Sequence, residues 1–391
     1  MNISLSKRTL FYLSAFIFSL MFMAGLLVAV NKYFWADEVH YLNHINSFSY
    51  LDMILGMCKV DPSRFPLFHL VEKTYVNFLH LFNIRWPGIL EATSYANLPL
   101  QVWYRIPPIV FISLAVAFSF YFYSRYFGVA LGVLNLIASI STYMLWAHIA
   151  ENRQYALWFL ITTVQLAYLF IIIDKKSIDK KYWFWLMFSQ FLLVFHTAFS
   201  VFQILAAGMV LWIFNFRQKK SLYIMTLLQG GIWFYYYNQC WQQYFYFTPE
   251  SGPLNVAAAN FPLDRILIWV IFVLILAWAY FSSFAREKYL ALSQELKRGA
   301  PVALFCFFMF IAAVIEIIKF HTMKPLNAPR FEVSNRYFIY LAPLSILISS
   351  FVPYIVGRAF RSNRMWFIIF AVLFGTLFLF RFYKTWAYLF T

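Results

Sequence analysis

Charge is the scarcest commodity in this sequence. Only 12% of its 391 residues are Asp, Glu, Lys or Arg, whereas 63% are hydrophobic and the mean hydropathy is +0.68; a typical soluble domain carries roughly 25% charged residues. So few charges cannot cover a protein of this size with a solvated surface, so a soluble globule is excluded, and disorder and coiled coil with it. Cysteine is equally sparse. Cys58, Cys240 and Cys306 are odd in number, widely spaced and without a C-x-x-C pair, which argues against both a disulfide framework and a zinc site. Acids are outnumbered by bases, 15 to 31, for a net charge of +16. Such an excess suggests nucleic-acid binding until the positions of the charges are considered.

What the sequence does have is long apolar runs. A helix needs about 20 apolar residues to cross roughly 30 Å of hydrocarbon. Eleven runs approach this, near 9–31, 106–124, 129–147, 154–173, 182–196, 199–216, 221–237, 265–283, 301–318, 337–356 and 365–380. The stretch 182–216 is too long for one span and is divided at its polar point, His196-Thr197. The first run follows Lys7-Arg8, is longer than the apolar core of a signal peptide and reads as a retained anchor. The prediction is an all-α polytopic membrane protein with about 11 transmembrane helices, forming a single integral membrane domain over 1–391 with no separate soluble domain.

With the N-terminus in the cytoplasm, 17 of the 31 basic residues fall on the inner side, including the clusters at 174–181 and 216–220, with four of the 15 acids. Lys and Arg in short loops set orientation, so most of the positive balance is topological and nucleic acid is not a predicted partner. Eleven acids and fourteen bases remain outside or at the outer boundary. The longest outer segment, 32–105, has mixed charges, prolines and amphipathic stretches, which predicts interfacial helices and the most promising place for a site.

That segment opens with Trp35-Ala-Asp-Glu-Val-His-Tyr-Leu-Asn-His44. Continued as a helix, it sets Asp37, His40, Tyr41 and His44 on one face. A carboxylate at a membrane boundary can act as a general base, although Asp37 and Glu38 can equally solvate or cap an interfacial helix. Asp37, His40 and His44 also offer oxygen and nitrogen ligands for a divalent metal, the one cofactor the sequence leaves open. Downstream, Asp61-Pro-Ser-Arg-Phe-Pro-Leu-Phe-His-Leu70 places Arg64 as either a phosphate-binding fork or a snorkelling side chain. Glu151 and Arg153 enter the fourth span, and Arg336 enters the tenth. His196 is either functional or a polar plug, and Glu316 with Lys319 reads as an i,i+3 ion pair. Ionisable groups gathered at one leaflet suit a site that handles an anionic headgroup beside a carboxylate.

The order of these motifs resembles that of the membrane glycosyltransferases of the GT-C fold, family 39-like, the group of the protein O-mannosyltransferases and the lipid A aminoarabinose transferase. Asp37-Glu38 is similar to their acidic pair after the first span. Arg64-Phe-Pro-Leu67 resembles a His- or Lys-Pro-Pro-Leu motif, Arg105-Ile-Pro107 an Arg-x-Pro entry to the second span, and Glu151-Asn-Arg-Gln-Tyr-Ala-Leu157 a Glu-Ala-Arg-Pro-Tyr-Ala-Leu motif. His196 resembles a histidine between the fifth and sixth spans, and Arg336-Tyr337 with Pro343 a late Arg-Tyr. The sequence departs from the pattern at Phe65 and Gln154, where relatives have proline, and at Ser63, where some have a carboxylate that helps hold a metal.

The resemblance implies inverting transfer of a sugar from a polyprenyl phosphate to a hydroxyl of a glycan, lipid or protein at the extracytoplasmic face of a bacterial inner membrane. Asp37 would be the base and Glu38 a helper or an orienting group. Arg64, Arg105, Arg153 and Arg336 would bind the donor phosphate. His40, Tyr41, Glu151, Tyr155 and His196 would line the substrates. Two alternatives remain open at this point. An O-antigen ligase or polymerase handles similar donors but would not need the early Asp-Glu pair, and a transporter or flippase would be expected to show internal repeats and polar mid-membrane breaks.

Overall fold

The computed structural model describes residues 5–32, 34, 36–55, 65–85, 98–175, 179–197, 199–214, 220–244, 339–360 and 364–390, with a few positions between 304 and 311. Every regular element among them is a helix. In chain order they are α1 (Lys7–Val30), α2 (Ala36–Ser47), α3 (Tyr50–Leu55), α4 (Pro66–Leu81), α5 (Leu98–Tyr104), α6 (Ile106–Phe127), α7 (Val129–Ile140), α8 (Tyr143–Ile149), α9 (Tyr155–Lys175), α10 (Lys180–Val194), α11 (Ser200–Ile213), α12 (Lys220–Tyr244), α13 (Leu341–Ala359) and α14 (Arg364–Phe390).

Five of these, α1, α6, α9, α13 and α14, are long and apolar enough to cross a membrane, and α7 with α8 makes a sixth if the bent pair counts as one. An all-α membrane protein follows. Of the eleven runs in the sequence, 265–283 and nearly all of 301–318 lie outside the described residues. The stretch 182–216 does divide around His196, into α10 and α11, which at 15 and 14 residues are short for a span.

The run 129–147 departs from a simple span. It breaks at Ser141-Thr142, where α7 and α8 meet at 64°. Three hydroxyls cause the break by capturing carbonyls of the last turn. Ser139 Oγ donates to the Asn135 carbonyl (2.8 Å), Ser141 Oγ to Ala138 (3.1 Å) and Thr142 Oγ1 to Ala138 (2.6 Å). The Trp146 indole N–H then caps the Ile140 carbonyl at 2.7 Å.

Small residues set the helix spacing, as expected where lipid supplies no hydrophobic drive for association. A Cβ added at Gly132 would stand 1.8 Å from Ser124 Oγ, so α7 can approach α6 this closely only with glycine there. Gly25 plays the same part where α1 meets Ile109 of α6. Helices α9 and α13 are the most enclosed of the spanning set, whereas α1 and α14 leave Phe16, Leu20, Leu27, Val372 and Leu379 exposed as a lipid-facing surface.

The two ends of this bundle differ in charge. At one end Lys175 Nζ lies 4.7 Å above the Tyr126 ring, the Tyr354 hydroxyl donates to the Phe127 carbonyl (2.7 Å), and Arg358 stacks on Tyr354 beside Arg125 of the same helix end. The other end begins at Arg105. At 1.5 Å per residue the two ends of α6 are about 30 Å apart, a hydrocarbon thickness.

Candidate functional site

At the Arg105 end, five segments converge on buried polar groups. Helix α2 turns Glu38, Tyr41, Leu42 and Ile45 inward at i, i+3, i+4 and i+7. Helix α4 starts with Pro66 in its first turn, where the missing N–H costs nothing. It buries Phe68, His69, Glu72, Val76 and Leu79. Its start docks on the α10–α11 turn through Leu67 N–H to the Phe195 carbonyl (2.9 Å), and Lys73 Nζ reaches the Ile45 carbonyl of α2 (2.8 Å). Arg105 immediately precedes α6, and residues 148–154 form the turn between α8 and α9.

Glu38 is the hub. Both it and Arg105 are fully buried, and they form a bidentate ion pair, Nε to Oε1 at 3.1 Å and Nη2 to Oε2 at 2.8 Å. The Asn152 backbone N–H adds a third bond to Oε1 at 2.7 Å. Arg105 Nη1 donates to the Ala29 and Lys32 carbonyls at the end of α1, and the guanidinium lies 4.6 Å over the Phe34 ring. Arg105, expected at the donor phosphate, directs its described donors to Glu38 and to backbone, and Glu38, expected as a helper or an orienting group, is held by Arg105 and the Asn152 N–H.

Around this hub, His148 Nδ1 meets Glu151 Oε2 at 2.6 Å, His148 packs against the Tyr155 ring at 4.8 Å, and the Arg153 guanidinium lies 5.2 Å over the same ring. Tyr41 packs against His69 with ring centroids 4.7 Å apart. His196 Nε2 lies 3.0 Å from the Gln154 carbonyl, which can only accept, so Nε2 carries the proton. Trp158 connects His196 (5.9 Å) to Tyr340 at the entry to α13 (4.9 Å).

The sequence candidates Glu38, Tyr41, Arg105, Glu151, Arg153, Tyr155 and His196 are thus all buried at one end of the bundle. Asp37, His40 and His44 belong to α2, but their side chains lie outside the described residues, as do Arg64, Arg336, Glu316 and Lys319. Among the described residues no three His, Cys, Asp or Glu side chains are grouped to hold a metal ion.

Sequence reading missed Glu72. It is fully buried, and burial pushes its carboxyl well above the ordinary range, with the facing Asn152 amide opposing that shift only in part. Its spacing from Phe68, Val76 and Leu79 marks the buried face, but one glutamate in a mixed-charge stretch reads as a solvated residue until the helix is docked.

Two groups give this end an acid-sensitive fold. Burial alone would raise the Glu151 pKa, yet His148, Lys32 and Arg153 outweigh it and bring it down to about 2 from 4.5. Burial pushes His196 down to about 3 from 6.5, opposed in part by its bond to Gln154. In both cases the unfolded chain binds the proton first as pH falls, so stability is lost on acidification, through pH 6.5 to about 3 for His196 and 4.5 to about 2 for Glu151. The raised Glu72 carboxyl acts in the opposite sense, so each contribution is read as the difference between variant and wild type in melting temperature measured against pH in detergent. His196→Gln should flatten the limb above pH 4.5 and Glu151→Gln the limb below it. An unchanged upper limb in His196→Gln would disprove the buried neutral imidazole.

Comparison with protein-family models gives no match for this chain, and comparison with curated proteins gives none either.

Proposed function

We propose that this protein is a membrane glycosyltransferase that moves a sugar from a polyprenyl-phosphate donor to an acceptor hydroxyl at the extracytoplasmic face. The observation that carries the reading is the concentration of carboxylates, arginines and histidines at one end of an apolar bundle whose other end is cationic. The cationic end suits the cytoplasmic side, which directs the polar cluster outward, where a lipid-linked sugar meets its acceptor. The motif order set out above supplies the reaction class.

In this reading Asp37 takes the proton of the acceptor hydroxyl as its oxygen bonds to the anomeric carbon. The bond from that carbon to the phosphate oxygen breaks, the lipid phosphate leaves with the electron pair, and the configuration inverts. Arg64, Arg153 and Arg336 neutralise the leaving phosphate. The Glu38–Arg105 pair is a positioning device that fixes the start of α2, and Asp37 with it, to the ends of α1 and α6. His196 acts as a neutral group.

Mass spectrometry of surface glycans from cells with and without the protein tests the assignment. A difference of a single sugar per glycan is the expected result. Loss of whole repeat units would replace the transferase by a polymerase or ligase, and an unchanged glycan profile would refute it.

A further inference from the structure

Glu72 and Asn152 stand out at this end as a facing pair. Both carboxyl oxygens of Glu72, and both the oxygen and the nitrogen of the Asn152 side chain, are buried without a hydrogen-bond partner among the described residues. Both residues are fully buried. They come from different elements, α4 and the 148–154 turn, and the two side chains face each other without forming an aligned bond. The Tyr75 and Tyr104 phenols lie close enough to feel a charge on Glu72. Glu72 has no ion-pair partner among the described residues. Asn152 is also the residue whose backbone N–H binds Glu38, so the facing pair borders the Glu38–Arg105 hub directly.

Four buried polar atoms that face one another without a bond between them detract from stability, and a ligand that completes their hydrogen bonds would account for their place in the fold. The chemistry of the pair narrows that ligand. The asparagine amide both donates and accepts, and the glutamate carboxyl adds two acceptor oxygens. Phosphate would require cations here, which the pair lacks. A hydroxyl donates one bond and accepts others, and so matches.

We propose that Glu72 and Asn152 form a subsite that binds a sugar hydroxyl through hydrogen bonds alone, next to the Glu38–Arg105 pair. The proposal rests on the transferase reading and gives it a sugar-recognition element separate from the phosphate-binding arginines. The hydroxyl belongs either to the donor sugar or to a glycan acceptor.

The full chain in lipid nanodiscs provides the test, with tryptophan fluorescence reporting binding. The probes are decaprenyl phosphate, its glucosyl and mannosyl forms, and methyl glucoside and methyl mannoside free in solution. The wild type should bind a glycosylated lipid about tenfold more tightly than bare decaprenyl phosphate, the size of one good hydrogen-bonded contact. Glu72→Leu and Asn152→Leu should erase that preference and leave bare-lipid affinity within about twofold. Glu72→Gln, neutral and still able to donate, should keep most of it. Without ligand, Glu72→Leu should raise Tm, because it removes an unsatisfied buried carboxyl; a lowered Tm would show a structural role and overturn the proposal.

A preference that survives Glu72→Leu would overturn it, and so would loss in Glu72→Gln as complete as in Glu72→Leu, which would mean that a charge is needed. If the free methyl glycosides, rather than the lipid-linked sugars, bind in a Glu72-dependent way, the hydroxyl is the acceptor's. If that dependence holds while no lipid phosphate binds, the transferase reading fails and the subsite stands. Absence of any Glu72-dependent sugar binding overturns the subsite alone.

Discussion

Asp37→Asn is expected to reduce sugar transfer by a factor of about 10²–10⁴, the range a positioned general base contributes. The substitution keeps the shape of the side chain and removes only its ability to take a proton. The Glu38–Arg105 pair that fixes the start of α2 is untouched, so the variant should insert, resist heat and bind donor lipid as the wild type does. Transfer measured with a lipid-linked sugar against lipid binding measured on the same sample separates chemistry from binding. Turnover near the wild-type rate would end the general-base assignment. A joint collapse of turnover and donor binding would instead place Asp37 on the donor.

The second large effect is on stability. Replacing Arg105 with methionine leaves the Glu38 carboxylate fully buried without its bidentate partner, and breaking a buried pair from one side typically costs about 3–5 kcal/mol. The same change frees the Ala29 and Lys32 carbonyls at the end of α1. Adding Glu38→Leu to Arg105→Met removes the stranded charge and should restore much of the loss, because apolar replacement of both partners of a buried pair is often close to neutral. Unfolding of the two single variants and the double variant in detergent gives the coupling directly. A loss under about 1 kcal/mol in Arg105→Met would show that the pair is hydrated in solution.

Much of the bundle was legible in the sequence because α1, α6, α9 and α14 each follow an uninterrupted apolar run with charges at its ends. The α7–α8 bend was not. Ser139, Ser141 and Thr142 are compatible with a continuous helix, and only the choice of their hydroxyls among nearby carbonyls decides the break. The candidate site was legible residue by residue and not as a set of contacts. Glu38 and Arg105 each stood out as polar groups at a boundary, but nothing local shows that one neutralises the other across 67 positions. Glu72 was hidden for the opposite reason, since its helix carries enough polar residues to hide which of its faces is buried. His196 stood out because it is the polar interruption in a long apolar stretch, a contrast that Glu72 lacks.

The Glu38 hub also sets a timetable for biogenesis. The three donors described for Glu38 come from Arg105 and from Asn152, the latter 114 positions later in the chain. At about 5–20 residues per second of synthesis, Asn152 follows Glu38 by roughly 6–23 s. Throughout that interval α1 and α2 exist before the Asn152 N–H that binds Glu38 has been made. The bonds described around Glu38 are therefore complete only after Arg105, at the start of α6, and the turn before α9 have been delivered, so α2 is locked in place well after it is made.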